Sequence, residues 1–431
     1  MGNDSRGIRL LKKGKKGLFR LLFSRIGVVT ILILTQAFIM IMMLQWLNDY
    51  FPHFYGAMLI FTIGMVIYLL NIKMNPTAKI TWLILMMIAP ILGAFFLWYT
   101  RSDIGHRTLK KKTNELIAKT DFLIPQDQNV IRELADDKPE AVTLAKYINR
   151  SGCYPVYNNT EVTYFSSGEE KFKELLKQIE AAKHFIFLEY FIIDEGLMWG
   201  KILEVLSKKV DEGVEVRVMY DGTCEYTTLT TDYPQRLAKL GIKCKVFAPA
   251  RPFVSTHYNY RDHRKILVID GHTAFNGGVN LADEYINEVE RFGHWKDTAV
   301  MLKGDAVKSF TLMFLQMWNV ESRHFNLSEA EFKKYLEYNT YPKESEGFVI
   351  PYGDCPLDDD KLGEHVYMDI LNRSHKYVHI MTPYLILDNE MLTTLAFAAK
   401  CGIEVIIIMP HIPDKKAVFA VARTYYPQLI K

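Results

Sequence analysis

His263 and Lys265 stand one residue apart in the segment NYRDHRKILVIDGHTAFNGGVNLADE, 259–284, and Asp270 follows at the end of the next apolar stretch. Ile266 to Ile269 reads as a strand and Asp270-Gly271 as a turn. Alternate residues of an extended segment share a side, so the imidazole and the ammonium point the same way. Ala274-Phe275 then leads into a Gly277-Gly278 turn with Asn280 just beyond. The segment thus gathers an imidazole, a cation and an amide beside backbone N–H groups. Attack on a phosphodiester builds negative charge on the non-bridging oxygens. Lys265, the Asn280 amide and the glycine N–H groups can stabilise that charge. A neutral imidazole can act as the nucleophile and carry a covalent intermediate. Asp270 has a plainer reading as a turn residue. His257, His263 and His272 lack the ligand-pair spacing of a zinc site, so neither metal nor other cofactor is expected.

These residues need a sheet to hold them. Glu170 to Ala182 has helical spacing, with Phe172, Leu175, Leu176 and Ile179 on one face. His184 to Ile193 is a buried strand pattern, Lys201 to Val210 is helical, and Val214 to Tyr220 is a second strand. Strand, helix, strand at these lengths predicts a βαβ unit with a parallel pair. The pattern recurs near the end of the sequence. AAKHFIFLEYFIIDE at Ala181 matches RSHKYVHIMTPYLILDN at Arg373, and DEGVEVRVMYD at Asp211 matches AKCGIEVIIIMP at Ala399. DYPQRLAK at Asp232 likewise matches YYPQLIK at Tyr425. Three anchors in one order, each about 190 residues apart, predict an internal duplication.

The first hundred residues are of another kind. Ile26 to Trp46, Phe54 to Ile72 and Ile80 to Tyr99 are apolar runs without a charged side chain. Each is about 20 residues, which as helix matches a ~30 Å hydrocarbon core. Trp46, Tyr55, Trp82, Trp98 and Tyr99 lie near the ends, where an interfacial belt would place them. The expectation is three transmembrane helices and a multi-pass protein of the bacterial cell membrane. Basic clusters at Arg6–Arg25 and Arg101–Lys112 both favour the cytoplasm, which leaves the side of the main domain open. Across the 431 residues the net charge is only +3, so no global attraction to nucleic acid is expected. The five cysteines form no C-x-x-C pair and read as isolated thiols. The expected organisation is a basic cytoplasmic or interfacial segment at 1–25, a membrane region at 26–100 and a linker at 101–145. A first repeat with the motif follows at 146–325, and an incomplete second repeat at 326–431.

HRKILVID followed by GGVN resembles the H-x-K-x4-D signature and glycine turn of the phospholipase D superfamily. LEYFIIDE, GVEVRVMYDG, GHWKDTAVMLKGDAV, MTPYLILD and NPTAKITW are similar to bacterial cardiolipin synthases, so that the likeness runs from about Asn75 to Lys431. The resemblance implies an α/β fold of duplicated mixed sheets flanked by helices, with the second copy incomplete. It implies transfer of a phosphatidyl group from one phosphatidylglycerol to a histidine, with release of glycerol, and then to a second phosphatidylglycerol. His263, Lys265 and Asp270 match the family's first His-Lys-Asp motif as catalytic residues. Gly277, Gly278 and Asn280 match its turn, as the substrate-binding group. The partners implied are an anionic phospholipid and the membrane, with no nucleic acid. A second motif supplies the general-acid histidine in such enzymes. The repeat offset puts that histidine at about position 456, beyond Lys431, so the chain reads as truncated before it. A carboxylate usually orients such a histidine, and Asp283, Glu284, Glu288 and Glu290 are the candidates nearby. Another phospholipase-D-type hydrolase or nuclease, or an inactive lipid-binding form, stays open as an alternative.

Overall fold

A computed structural model describes residues 34, 38, 51–101, 104–249, 261–320, 328–338, 345–355 and 360–430. The chain divides into two compact units, one holding most of the first hundred residues and the other nearly all the rest.

In the smaller unit, three helices span Phe51–Asn71, Pro76–Ile88 and Pro90–Arg101. They pack on one another through Leu69, Met86 and Leu97, which are almost wholly buried, with Met65, Trp82 and Ala94 around them. The Asn75 side chain caps the second helix by accepting the Thr77 N–H, and Pro76 follows at the first helical position. That helix stops at Ala89 because Pro90 has no N–H to continue the ladder. The third apolar run is therefore two pieces of 13 and 12 residues, each under about 20 Å long at helical rise. The side chains described in the helix Phe51–Asn71, 56–71, cover about 24 Å. No helix among the described residues is long and apolar enough to cross a membrane. This corrects the expectation of preceding transmembrane helices and of a multi-pass membrane protein. The first apolar run, apart from Leu34 and Phe38, and the basic segment before it lie outside the described residues.

The larger unit is built on a seven-stranded mixed sheet in the order β1-β7-β6-β5-β2-β3-β4. The strands are β1 Thr160–Phe165, β2 Phe185–Tyr190, β3 Glu215–Asp221, β4 Lys243–Phe247, β5 Lys265–Ile269, β6 Thr273–Gly277 and β7 Ala299–Gly304. β2, β3 and β4 are parallel, as the βαβ reading requires, whereas β5, β6, β7 and β1 run antiparallel to their neighbours. β2 is buried along its whole length because it is central and covered on both faces. On one face, Ile186, Leu188 and Tyr190 join a core with Leu175 and Ile179 of the helix Gly168–Ala181 and Ile202 and Leu206 of the helix Leu197–Asp211. On the other, Phe187 stacks on Phe314 of the helix Val307–Val320 with ring centroids 4.6 Å apart.

A second parallel pair, β8 Tyr377–Met381 and β9 Glu404–Ile408, closes the other βαβ unit around the helix Asn389–Lys400. Leu371, Val378 and Leu395 form its small core, with Ile380, Val405 and Ile407 against them. The α/β architecture with a mixed sheet is thus as expected.

Candidate active site

The antiparallel register of β5 against β2 sets Lys265 opposite Tyr190, so both strands reach the same edge of the sheet there. His263 lies just ahead of β5, and Phe191 just beyond β2. The Phe191 ring is the floor they share. The His263 ring lies 4.7 Å from it between centroids, and the Lys265 ammonium sits 5.2 Å from its centre. Lys265 is nearly buried, and its Nζ donates to the His263 carbonyl at 2.6 Å. The strand therefore holds the imidazole and the cation side by side.

The glycine turn closes the arrangement from β6. Gly277 has φ of +144°, a conformation side chains rarely adopt, and a Cβ there would meet the Thr298 carbonyl and Ala299. A Cβ on Gly278 would collide with the Asp297 carboxylate. Asn280 is buried, and its amide is used at both ends. Its Oδ1 accepts the Ile192 N–H at 3.0 Å and its Nδ2 donates to the Tyr285 hydroxyl at 2.7 Å. Asn280 thus ties the exit of β2 to the turn.

His263, Lys265, Gly277, Gly278 and Asn280 all line one cavity of about 1130 Å³. Asp270 does not. It lies at the far end of β5, with φ of +49°, and its carboxylate accepts the backbone N–H groups of Lys183, His184 and Phe185 at 2.7–2.8 Å. Its contacts anchor the start of β2 and fix the β2–β5 register. The four carboxylates weighed as orienters of His263 are also accounted for. Asp283 accepts the N–H groups of Leu197 and Met198 and so caps the helix Leu197–Asp211. Glu284 pairs with Arg291 at 2.9 Å, and Glu288 and Glu290 are exposed and away from the cavity. Among the described residues, none hydrogen-bonds the His263 ring.

Sequence reading missed two groups. Lys171 is wholly buried and donates to the Val279 carbonyl at 3.0 Å, bracing the glycine turn from beneath. Its signal was its place one helical turn before Leu175, on the buried face of its helix. Asp297 lines the cavity beside the turn, and its Oδ1 accepts the Thr298 N–H at 2.8 Å.

Electrostatics favour a neutral imidazole beside a cation. His263 is an exposed residue on the cavity wall, with protein crowded around its ring. Burial, then Lys265 and Lys415, lower its pKa to about 4. Burial lowers Lys265 to about 8, with Asp262, Asp297 and Asp221 pulling it back. Complete burial lowers Lys171 to about 7, which Asp297 opposes and Lys265 reinforces. Beneath the strand, Arg264 approaches Glu189 at 3.6 Å, and burial together with Asp262 holds the Glu189 carboxyl well above the usual carboxylate range. Among the described residues, no group of three or more His, Cys, Asp or Glu side chains could hold a metal ion. An imidazole with an adjoining cation at a cavity wall is an arrangement that suits displacement at phosphorus.

Comparison with known proteins finds relatives over most of the chain. Residues 175–318 match the model of the cardiolipin synthase, PLD-like domain. The chain is 34% identical to cardiolipin synthase 2 of Bacillus cereus over 374 residues, covering 86% of this chain and 71% of that protein. It is 31% identical to the cardiolipin synthase of Alkalihalophilus pseudofirmus, covering 86% and 72%. An uncharacterized protein of Streptococcus mutans serotype c is 56% identical over 368 residues, covering 85% and 79%. The chain therefore belongs to the cardiolipin synthase family, phospholipid-modifying enzymes of the phospholipase D type that transfer phosphatidyl groups.

Proposed function

We propose that this protein joins two phosphatidylglycerol molecules into cardiolipin and glycerol through a phosphatidyl-histidine at His263. A ring nitrogen of His263 attacks the donor's phosphorus. The P–O bond to the headgroup glycerol breaks, and that oxygen takes a proton from water and leaves. A hydroxyl of the second phosphatidylglycerol then attacks the same phosphorus, loses its proton and displaces the imidazole. Lys265 stabilises the charge on the non-bridging oxygens in both steps, whereas the Gly277 and Gly278 N–H groups donate to Asn276 Oδ1 and the Thr298 carbonyl and shape the turn. The observation that carries this reading is the imidazole and the ammonium seated together on Phe191 at the cavity wall. The named relatives support the choice of lipid product. Lipid products separated by thin-layer chromatography test it. His263→Ala should lose cardiolipin formation entirely, and Lys265→Ala should lose it by 10²-fold or more, about the size of one lost charge-stabilising donor. Turnover retained in His263→Ala would remove this site from the mechanism.

A further inference from the structure

The cavity has a second wall, and it comes from the other βαβ unit. Pro383 and Tyr384 beyond β8, and Asp414 and Lys415 beyond β9, line the same space as His263. Among the described residues, four cationic side chains line it. Lys265 is bonded to the His263 carbonyl, Arg264 is turned toward Glu189, and Arg291 is paired with Glu284. Lys415 differs. Among the described residues its ammonium has no hydrogen bond or ion pair, only the face of Tyr384 at 4.9 Å from the ring centre. That ring is itself fixed, because the Tyr384 hydroxyl donates to Asp414. The cation is thus held by an aromatic face, with its hydrogen-bond donors unspent. It lies close enough to His263 to help keep that imidazole neutral. A cavity of about 1130 Å³ is at the upper limit of what one small ligand fills.

We infer that Lys415, braced by Tyr384, is the anchor for the phosphodiester of the acceptor phospholipid, opposite the phosphate carried on His263. The inference rests on the phosphatidyl-transfer reading above. In that reading the attacking hydroxyl belongs to a molecule with its own anionic phosphate. That charge lies one headgroup away from the reacting phosphorus, where repulsion between the two phosphates opposes approach. An unpaired ammonium on the facing wall offsets the repulsion and orients the glycerol hydroxyl toward His263. An acceptor without a phosphate would gain nothing from it.

This difference gives the test. Detergent micelles of phosphatidylglycerol are supplied with labelled free glycerol. The phosphatidyl-histidine then partitions between two acceptors. Glycerol returns labelled phosphatidylglycerol, and a second phosphatidylglycerol gives cardiolipin. In Lys415→Met the ratio of cardiolipin to glycerol exchange should fall about tenfold or more, the scale of one charge-assisted contact. Lys415→Arg, which keeps the charge, should restore most of the ratio. An unchanged ratio in Lys415→Met overturns the inference, whether both rates persist or both fall together. His263→Ala, run alongside, keeps the two claims apart. Its loss of both products leaves phosphatidyl transfer standing whatever Lys415 does, and its retention of both would remove the foundation instead.

Discussion

At the scale of the residue, the site turns on two titratable groups moved in the same direction. In the proposed reaction His263 must be neutral to attack, and Lys265 must be charged to stabilise. With His263 at about 4 and Lys265 at about 8, both conditions hold together only between those values. Turnover should rise with an acid limb near pH 4 and fall with a basic limb near pH 8, which rate measurements at fixed lipid mole fraction would show. An acid limb near 6.5, the ordinary histidine value, would mean that the imidazole is not held neutral as described. The same shift affects stability with a definite sign. Between about 6.5 and about 4 the unfolded imidazole takes a proton that the folded site refuses, so this group favours unfolding as pH falls through that window. His263 and Lys265 were legible in the sequence, because their spacing on an extended segment dictates a common side. Lys171 and Asp297 were not. A lysine within GEEKFKELLKQIEA looks like an ordinary solvated charge despite its place one turn before Leu175, and packing shows it buried under Val279.

At the scale of the element, β5 works as a ruler with a function at each end. One end presents His263 and Lys265, and the other inserts Asp270 into the start of β2. Asp270 thereby helps fix the register that sets Lys265 opposite Tyr190. Asp270→Ala leaves three backbone N–H groups without their acceptor and puts alanine at positive φ. It should lower stability by roughly 3 kcal/mol or more, with Asp270→Asn intermediate because one side-chain oxygen remains. Thermal melts of the three proteins check the order. A wild-type melting curve for Asp270→Ala with lost turnover would give this carboxylate a chemical role that the geometry does not assign. The parallel pair β2–β3 was readable because short apolar runs bounded by turn residues and separated by a helical pattern fit covered strands, and β8–β9 because the same pattern recurs, although alternate residues of both strands are exposed. β1 was harder. Its TEVTYF alternates, with Val162 and Tyr164 exposed, so hydrophobicity alone does not mark it. The third apolar run read as one membrane-spanning helix because its composition is uniform. Pro90 divides it, and the two halves pack against each other and against the helix before them.

At the scale of the whole molecule, the larger unit brings two βαβ units to one cavity. The first supplies His263, Lys265 and the glycine turn, and the second supplies Tyr384, Asp414 and Lys415. The duplication pattern pointed to the second unit but not to its contribution. Asp414 and Lys415 follow β9 in a loop, where no periodicity reveals which way a side chain faces. Everything proposed for this cavity depends on a covalent intermediate at one ring nitrogen, and that can be observed directly. The protein is mixed with phosphatidylglycerol labelled in its phosphate, quenched within a turnover under alkaline conditions that preserve phosphohistidine, and digested. Label should appear on the peptide containing His263, vanish in His263→Ala and chase into cardiolipin when unlabelled phosphatidylglycerol is added. Cardiolipin formed without protein-bound label, or with label on another residue, would contradict the account.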